Sequence, residues 1–100
     1  MVKKIIWTSR AQQERKDIFD YWNFRNQSFD YSIKLNELIK QTVDFLSQHP
    51  KTGRVTENEN LRMHRIQNYL LFYEETESEI YIVSFWDGRQ DPERLRKRLE

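Results

Sequence analysis

The hydrophobic repeat of this chain changes period once, between residues 50 and 61, and that change constrains the fold more than any other feature. Before it, Tyr31, Leu35, Leu38, Ile39, Thr42, Phe45 and Leu46 recur at steps of three and four. Ala11, Ile18 and Trp22, flanked by Phe19 and Tyr21, form a shorter stripe of the same kind. Such spacing gathers side chains on one face of an α-helix. After the change, Leu61 to Gln67 alternates, while Tyr69 to Glu74 and Glu79 to Trp86 are dense in aliphatic and aromatic residues. A period near two, filled with such residues, belongs to strands. Helices followed by strands must lay their apolar stripes on one sheet face, so the chain reads as α+β.

Local signals place the boundaries. Val2 to Trp7 is an apolar, β-branched run and reads as a strand. Ser9-Arg10-Ala11-Gln12 fits a capping box, with the Ser9 hydroxyl accepting a first-turn N–H, and opens a helix over roughly residues 9–25. Arg25-Asn26-Gln27-Ser28 is a turn, and a second helix runs from about Phe29 to His49-Pro50, where proline cannot continue it. The short connection predicts an antiparallel helical hairpin. Residues 50–60 are polar, contain Gly53 and read as a loop. Asn68 and the segment Glu74–Ser78 supply turns, so the three strands after Asn60 form an antiparallel meander. Asp91-Pro92-Glu93 starts a short final helix on which Leu95 and Leu99 lie one turn apart. With no repeat and no linker, residues 1–100 read as one domain.

Composition narrows the chemistry. The chain has no cysteine, which excludes disulfides, a thiol nucleophile and a thiolate zinc site. His49 and His64 lie fifteen residues apart, too far for a ligand pair on one helix, so neither a metal nor another cofactor is expected. No apolar run approaches the roughly 20 residues that span a bilayer, and the apolar part of the N-terminus is short for a signal peptide. A cytoplasmic location and no membrane partner are the expectation. The net charge of +1 hides an acidic stretch, Glu74 to Glu79, and a basic tail in which Arg89, Arg94, Arg96, Lys97 and Arg98 face only Asp91 and Glu93. Such a tail can meet phosphate, or it can be a solvated helix face. Trp7, Trp22, Phe45, Phe72, Tyr73, Phe85 and Trp86 are expected in the core or along its edge, with Tyr69 and Tyr81 as exposed rings.

Four segments, in order, carry a family likeness: Lys4-Ile5-Ile6-Trp7-Thr8-Ser9-Arg10-Ala11, His49-Pro50-Lys51-Thr52-Gly53-Arg54, Asn68-Tyr69-Leu70-Leu71-Phe72-Tyr73 and Trp86-Asp87-Gly88-Arg89-Gln90-Asp91-Pro92. With them the chain resembles the RelE/ParE superfamily, the toxin halves of bacterial type II toxin–antitoxin pairs. The resemblance implies an N-terminal strand, a helical hairpin packed on an antiparallel meander and a short C-terminal helix. It also implies a cognate antitoxin as partner, a toxin–antitoxin hetero-oligomer, and growth inhibition through DNA gyrase or through the ribosome and its mRNA. RelE-like members cleave mRNA in the ribosomal A site, whereas ParE-like members inhibit DNA gyrase. A third reading is a non-toxic chain that serves as an antitoxin-binding corepressor.

The residues weigh differently on these readings. Cleavage by a 2′-hydroxyl needs a base, a group that stabilises charge on the phosphate, and an acid for the leaving oxygen. Arg89 stands where the family often carries a strand-end arginine, and its guanidinium can clamp a phosphate or pair with Asp87 or Asp91. Leu70, Asp87 and Leu95 stand where RelE-like nucleases resemble one another in carrying an arginine, a histidine or other base, and a tail aromatic. These departures favour the ParE-like reading. For a nuclease, Arg62, His64 and Arg65 remain as candidates beside Arg89. Alternation puts Arg62 and His64 on one face and Arg65 on the other. Lys51, Arg54 and the tail residues Arg94, Arg96, Lys97 and Arg98 are candidates for binding a nucleic acid or a protein target. His49 is expected to complement the second helix's C-terminus.

Overall fold

The computed structural model describes residues 2–88. Arg89, Arg94, Arg96, Lys97, Arg98, the Leu95/Leu99 pair and the final helix expected after Pro92 lie outside the described residues. The elements run β1 (Lys4–Trp7), α1 (Ser9–Asn26), α2 (Asp30–Gln48), β2 (Arg54–Val55), β3 (Leu61–Ile66), β4 (Tyr69–Glu75) and β5 (Glu79–Asp87). Among the described residues, the strands form one sheet in the order β1-β5-β4-β3-β2. β3, β4 and β5 are the expected antiparallel meander. β1 adds to β5 in parallel, with Ile5 opposite Ile80 and Trp7 opposite Ile82. A parallel neighbour needs a long crossover, and the hairpin α1–α2 is part of it.

The helices cover one sheet face. Leu35, Ile39, Val43 and Leu46 of α2 pack with Ala11 of α1 and with Ile66, Tyr69, Leu71, Tyr73, Ile80, Ile82 and Phe85 of the sheet. Removing any of the fully buried aliphatics leaves a cavity costing about 2–5 kcal/mol. The stripe on α2 is shifted from the sequence reading: Val43 is buried, while Phe45 is 46% exposed and stacks obliquely on His49 with ring centroids 4.8 Å apart.

Several boundaries moved by a residue. The N-cap of α1 is Thr8, not Ser9: the Thr8 hydroxyl accepts from the Ala11 N–H at 3.2 Å and donates to the Ile82 carbonyl at 3.0 Å. One side chain thus caps the helix and ties its start to β5. α1 ends at Gln27 in the left-handed conformation (φ 53°) without a glycine, its amide bonded to the Asn23 and Phe24 carbonyls. The hairpin is clipped by Ser32, which donates to Asn23 Oδ1 at 2.6 Å. The β3–β4 turn also uses a left-handed non-glycine, Gln67 (φ 57°), beside the expected Asn68. The segment expected to be wholly loop holds the short edge strand β2, paired with β3 at Arg54–Met63 and Val55–Arg62.

A β-bulge divides β5. Phe72 pairs with Ser84 and Tyr73 with Ile82, so Val83 is the extra residue. The pleat shifts there: Ile80 and Ile82 face the helices, and beyond the bulge Phe85 does so, while Val83 and Trp86 join the opposite face. Glu14 of α1, 7% exposed, serves the distortion. Its Oε1 accepts from the Ser84 hydroxyl at 2.9 Å and the Phe85 N–H at 3.2 Å. A buried donor displaced by a bulge needs such a partner.

Candidate target-binding site

The sheet face turned away from the helices carries a second apolar cluster. Leu61, Phe72 and Trp86 are buried in it, with Met63, Leu70 and Val83 packed against them. Paired residues of antiparallel strands share a face, so the register builds its rows. Arg54, Met63 and Phe72 lie in one row, and Arg65, Leu70 and Trp86 in the next. Arg54 and Arg65 are exposed and stand at the β2–β3 side of this apolar surface. Glu74, Glu79 and Tyr81 occupy the other end of the same face. A bond from the Tyr81 hydroxyl to Glu79 Oε1 at 3.2 Å, with that residue's charge, raises the Tyr81 pKa and keeps the phenol protonated.

The remaining sequence candidates fall elsewhere. Arg62 and His64 are on the helix side, opposite Tyr73 and Leu71. The Arg62 guanidinium donates to the carbonyls of Lys51 at 3.2 Å and Gly53 at 2.8 Å. It thereby holds the loop that follows α2. The Tyr73 hydroxyl holds the same loop, accepting from the Gly53 N–H and donating to the Pro50 carbonyl, each at 2.8 Å. Burial pushes the Tyr73 phenol pKa up, against the smaller effects of its Gly53 bond and the Arg62 charge, so it remains a donor. Lys51 reaches Glu75 at 3.1 Å, and Lys3 reaches the other oxygen of that carboxylate at 3.2 Å. Lys3 also donates to the Thr76 and Glu77 carbonyls. Burial acts to raise the Glu75 pKa, but the bonds and charges of Lys51 and Lys3 outweigh it and hold the carboxyl below its ordinary value. Arg65 donates to the Gln67 carbonyl at 2.9 Å through Nε.

The candidates therefore divide into two sets. Arg62 and Lys51 fasten a loop, and His64 lies with Arg62 behind the sheet. Arg54 and Arg65, both exposed, border the second apolar cluster. Leu70, which stands where a nuclease of the superfamily carries an arginine, is packed into that face beside Trp86. The face brings two cations to one border of an apolar cluster and sets Glu74, Glu79 and Tyr81 at its other end. Among the described residues no group of three His, Cys, Asp or Glu is placed to hold a metal ion. Nor is any described helix long and apolar enough to cross a membrane.

Three features escaped the sequence reading. The second cluster is invisible in a run where every β5 residue from Ile80 to Phe85 except Ser84 is apolar or aromatic. Tyr69, expected as an exposed ring, is 2% exposed, and its hydroxyl accepts from the Trp22 indole N–H at 2.6 Å. Glu14 gave no signal, because a lone carboxylate in a charged helix reads as solvated.

Comparison with known proteins adds the ancestry. No curated protein sequence matches the chain. A solved structure from a chromosomal ParDE toxin–antitoxin system of P. aeruginosa superimposes with a TM-score of 0.73 at 19% identity, covering 86% of this chain and 96% of that one. At that identity the match carries the fold. A family profile described as the ParE toxin of the type II toxin–antitoxin system parDE spans residues 5–92. That span takes in the four motif segments but for Lys4, and the chain belongs to the ParE toxin family of type II toxin–antitoxin systems, within the RelE/ParE superfamily.

Proposed function

We propose that this chain arrests bacterial growth by binding and inhibiting DNA gyrase, and that a cognate antitoxin silences it. Residues 1–100 act as one toxin domain in the cytoplasm, where that target resides, and assemble with the antitoxin into a hetero-oligomer. The observation that carries the choice of target is Leu70. Packed beside Trp86 on the sheet face turned away from the helices, it supplies apolar contact where RNA cleavage would need a cation. Arg54 and Arg65 at the border of that face fit recognition of an acidic protein surface. The engagement of Arg62 with loop carbonyls fits a structural role for that residue.

Gyrase supercoiling with the purified chain tests this reading. Inhibition at near-stoichiometric toxin is expected, reversed by antitoxin and weakened by Arg54→Ala with Arg65→Ala. RNA ends mapped after induction should show no new codon-phased cuts. Unimpaired supercoiling alongside ribosome-dependent cutting that Arg89→Ala abolishes would replace the proposal with the endoribonuclease reading.

A further inference from the structure

The strand that carries Arg54 is short, and its register decides which face that residue takes. β2 pairs with β3 at Arg54–Met63 and Val55–Arg62. Met63 belongs to the second cluster, so Arg54 stands on the face turned away from the helices, and Val55 on the helix side with Arg62. A slip of one residue would exchange the two faces. A strand of two exposed residues buries nothing that would forbid the slip. Two devices at its ends do so instead. Beyond β2, the amide and the hydroxyl of Thr56 both donate to the Leu61 carbonyl, at 3.1 and 2.9 Å. Before β2, the chain is gripped from the helix side of the sheet. Gly53 donates its N–H to the Tyr73 hydroxyl and accepts from Arg62 at its carbonyl, each at 2.8 Å. The same two side chains bond the carbonyls of Pro50 and Lys51.

We propose, on the reading that Arg54 contacts the target, that Arg62 and Tyr73 are positioning residues: by gripping Gly53 they fix the register of β2 and hold Arg54 on the face that meets the target. The grip accepts one register only. A slip carries Gly53 about 3.3 Å along the strand, out of reach of both partners. It also brings Thr52 or Arg54 to a position where a Cβ would lie 2.2 Å from the Tyr73 oxygen. Tyr73 is fully buried and Gly53 is buried beside it, so neither yields readily and little water competes for their bond. The Arg54 side chain takes no part in the grip and stays exposed.

A double-substitution cycle tests this role, read as growth arrest at matched protein levels and as inhibition of gyrase supercoiling. Arg54→Ala should weaken inhibition roughly tenfold, the scale of one charge-assisted hydrogen bond. Arg62→Ala and Tyr73→Phe should each weaken it several-fold alone and add nothing in the Arg54→Ala background. Arg62→Lys, which keeps a donor, should recover part of the loss. Tyr69→Phe, which loses the Trp22 bond at the start of β4 and leaves the loop alone, should inhibit as wild type does. In NMR spectra of the full chain, the cross-strand contact of Arg54 with Met63 should weaken in Arg62→Ala and Tyr73→Phe and persist in Tyr69→Phe. Additive losses, a contact that survives both loop substitutions, or an equal loss in Tyr69→Phe overturns the proposal. So does full growth arrest by Arg54→Ala. A cycle that closes in growth arrest while supercoiling is untouched supports the positioning role and removes gyrase as the target.

Discussion

Gly53→Ala tests how the loop after α2 is held, and the structure sets the size of the effect. A Cβ at this position would lie 2.2 Å from Tyr73 Oη and 2.7 Å from Cε1 and Cζ. The Tyr73 ring is fully buried, so it has little room to retreat. Moving either the ring or the loop breaks the bonds of the Tyr73 hydroxyl to Gly53 and Pro50. Overpacking of this kind costs about 1–3 kcal/mol, and each lost hydrogen bond about 1 kcal/mol more. Opposing them, alanine lowers the entropy of the unfolded chain by about 0.4–1 kcal/mol, and no backbone strain intervenes because no glycine here has positive φ. Destabilisation should dominate at about 2–4 kcal/mol. Urea unfolding followed by tryptophan fluorescence should show the midpoint fall by about 1–2 M. Tyr73→Phe alone should cost about 1–2 kcal/mol, through the Gly53 N–H it leaves unbonded. The double variant should cost at least ~1 kcal/mol less than the sum, because removing Oη removes the closest collision. A midpoint for Gly53→Ala at or above that of wild type, or strict additivity in the cycle, would refute the reasoning.

Three further outcomes follow from the same geometry. Glu14→Ala removes an acceptor from the Ser84 hydroxyl and the Phe85 amide at the bulge, so it should cost about 2–4 kcal/mol; Glu14→Gln, which keeps an oxygen acceptor, should lose less in thermal melts. The Glu75 carboxyl has its pKa lowered in the folded state, so its contribution is present above the unfolded value and is lost as pH falls through the folded one; the stability gap between wild type and Glu75→Gln should be constant above about pH 5 and close below about pH 4. A gap that persisted to lower pH would sink that account. Tyr69→Phe should cost about 1–2 kcal/mol and shift Trp22 emission, since the indole N–H loses the hydroxyl it donates to at 2.6 Å.

Much of the fold was legible because period is a local property. The helical stripes, the proline stop after His49 and the three strands of the meander each follow from spacing within a dozen residues, and each stands where the sequence placed it within a residue or two. What escaped depended on distant partners. Ser9 and Thr8 are equally good caps in sequence. Thr8 prevails because β5 offers its hydroxyl the Ile82 carbonyl. Tyr69 looked exposed because a tyrosine at a strand start carries no sign that Trp22, forty-seven residues earlier, will bond its hydroxyl. The pleat shift at Val83 is silent because the residues on both sides of it are apolar. β2 is only two residues long and takes its identity from pairing with β3.

The candidate site shows the same division with functional consequences. A cation in a sequence is a candidate for any anion, and its role is set by the acceptor that reaches it first. Lys51 and Arg62 were candidates of equal standing with Arg54 and Arg65. Glu75 and two loop carbonyls engage the first pair in holding the chain's turn after α2. The alternation of β3 then separates what remains, sending Arg65 to the face turned away from the helices and His64 to the helix side. A cleavage centre built from Arg62, His64 and Arg65 would require one strand to present both its faces to one phosphate, which a period of two forbids. The face turned away from the helices is therefore left with Arg54 and Arg65 at one border, packed apolar side chains at its centre and Glu74, Glu79 and Tyr81 at its far end. Under the gyrase reading proposed above, that distribution suits protein recognition, because the partly buried Met63, Leu70 and Val83 can supply apolar contact and have no proton to transfer.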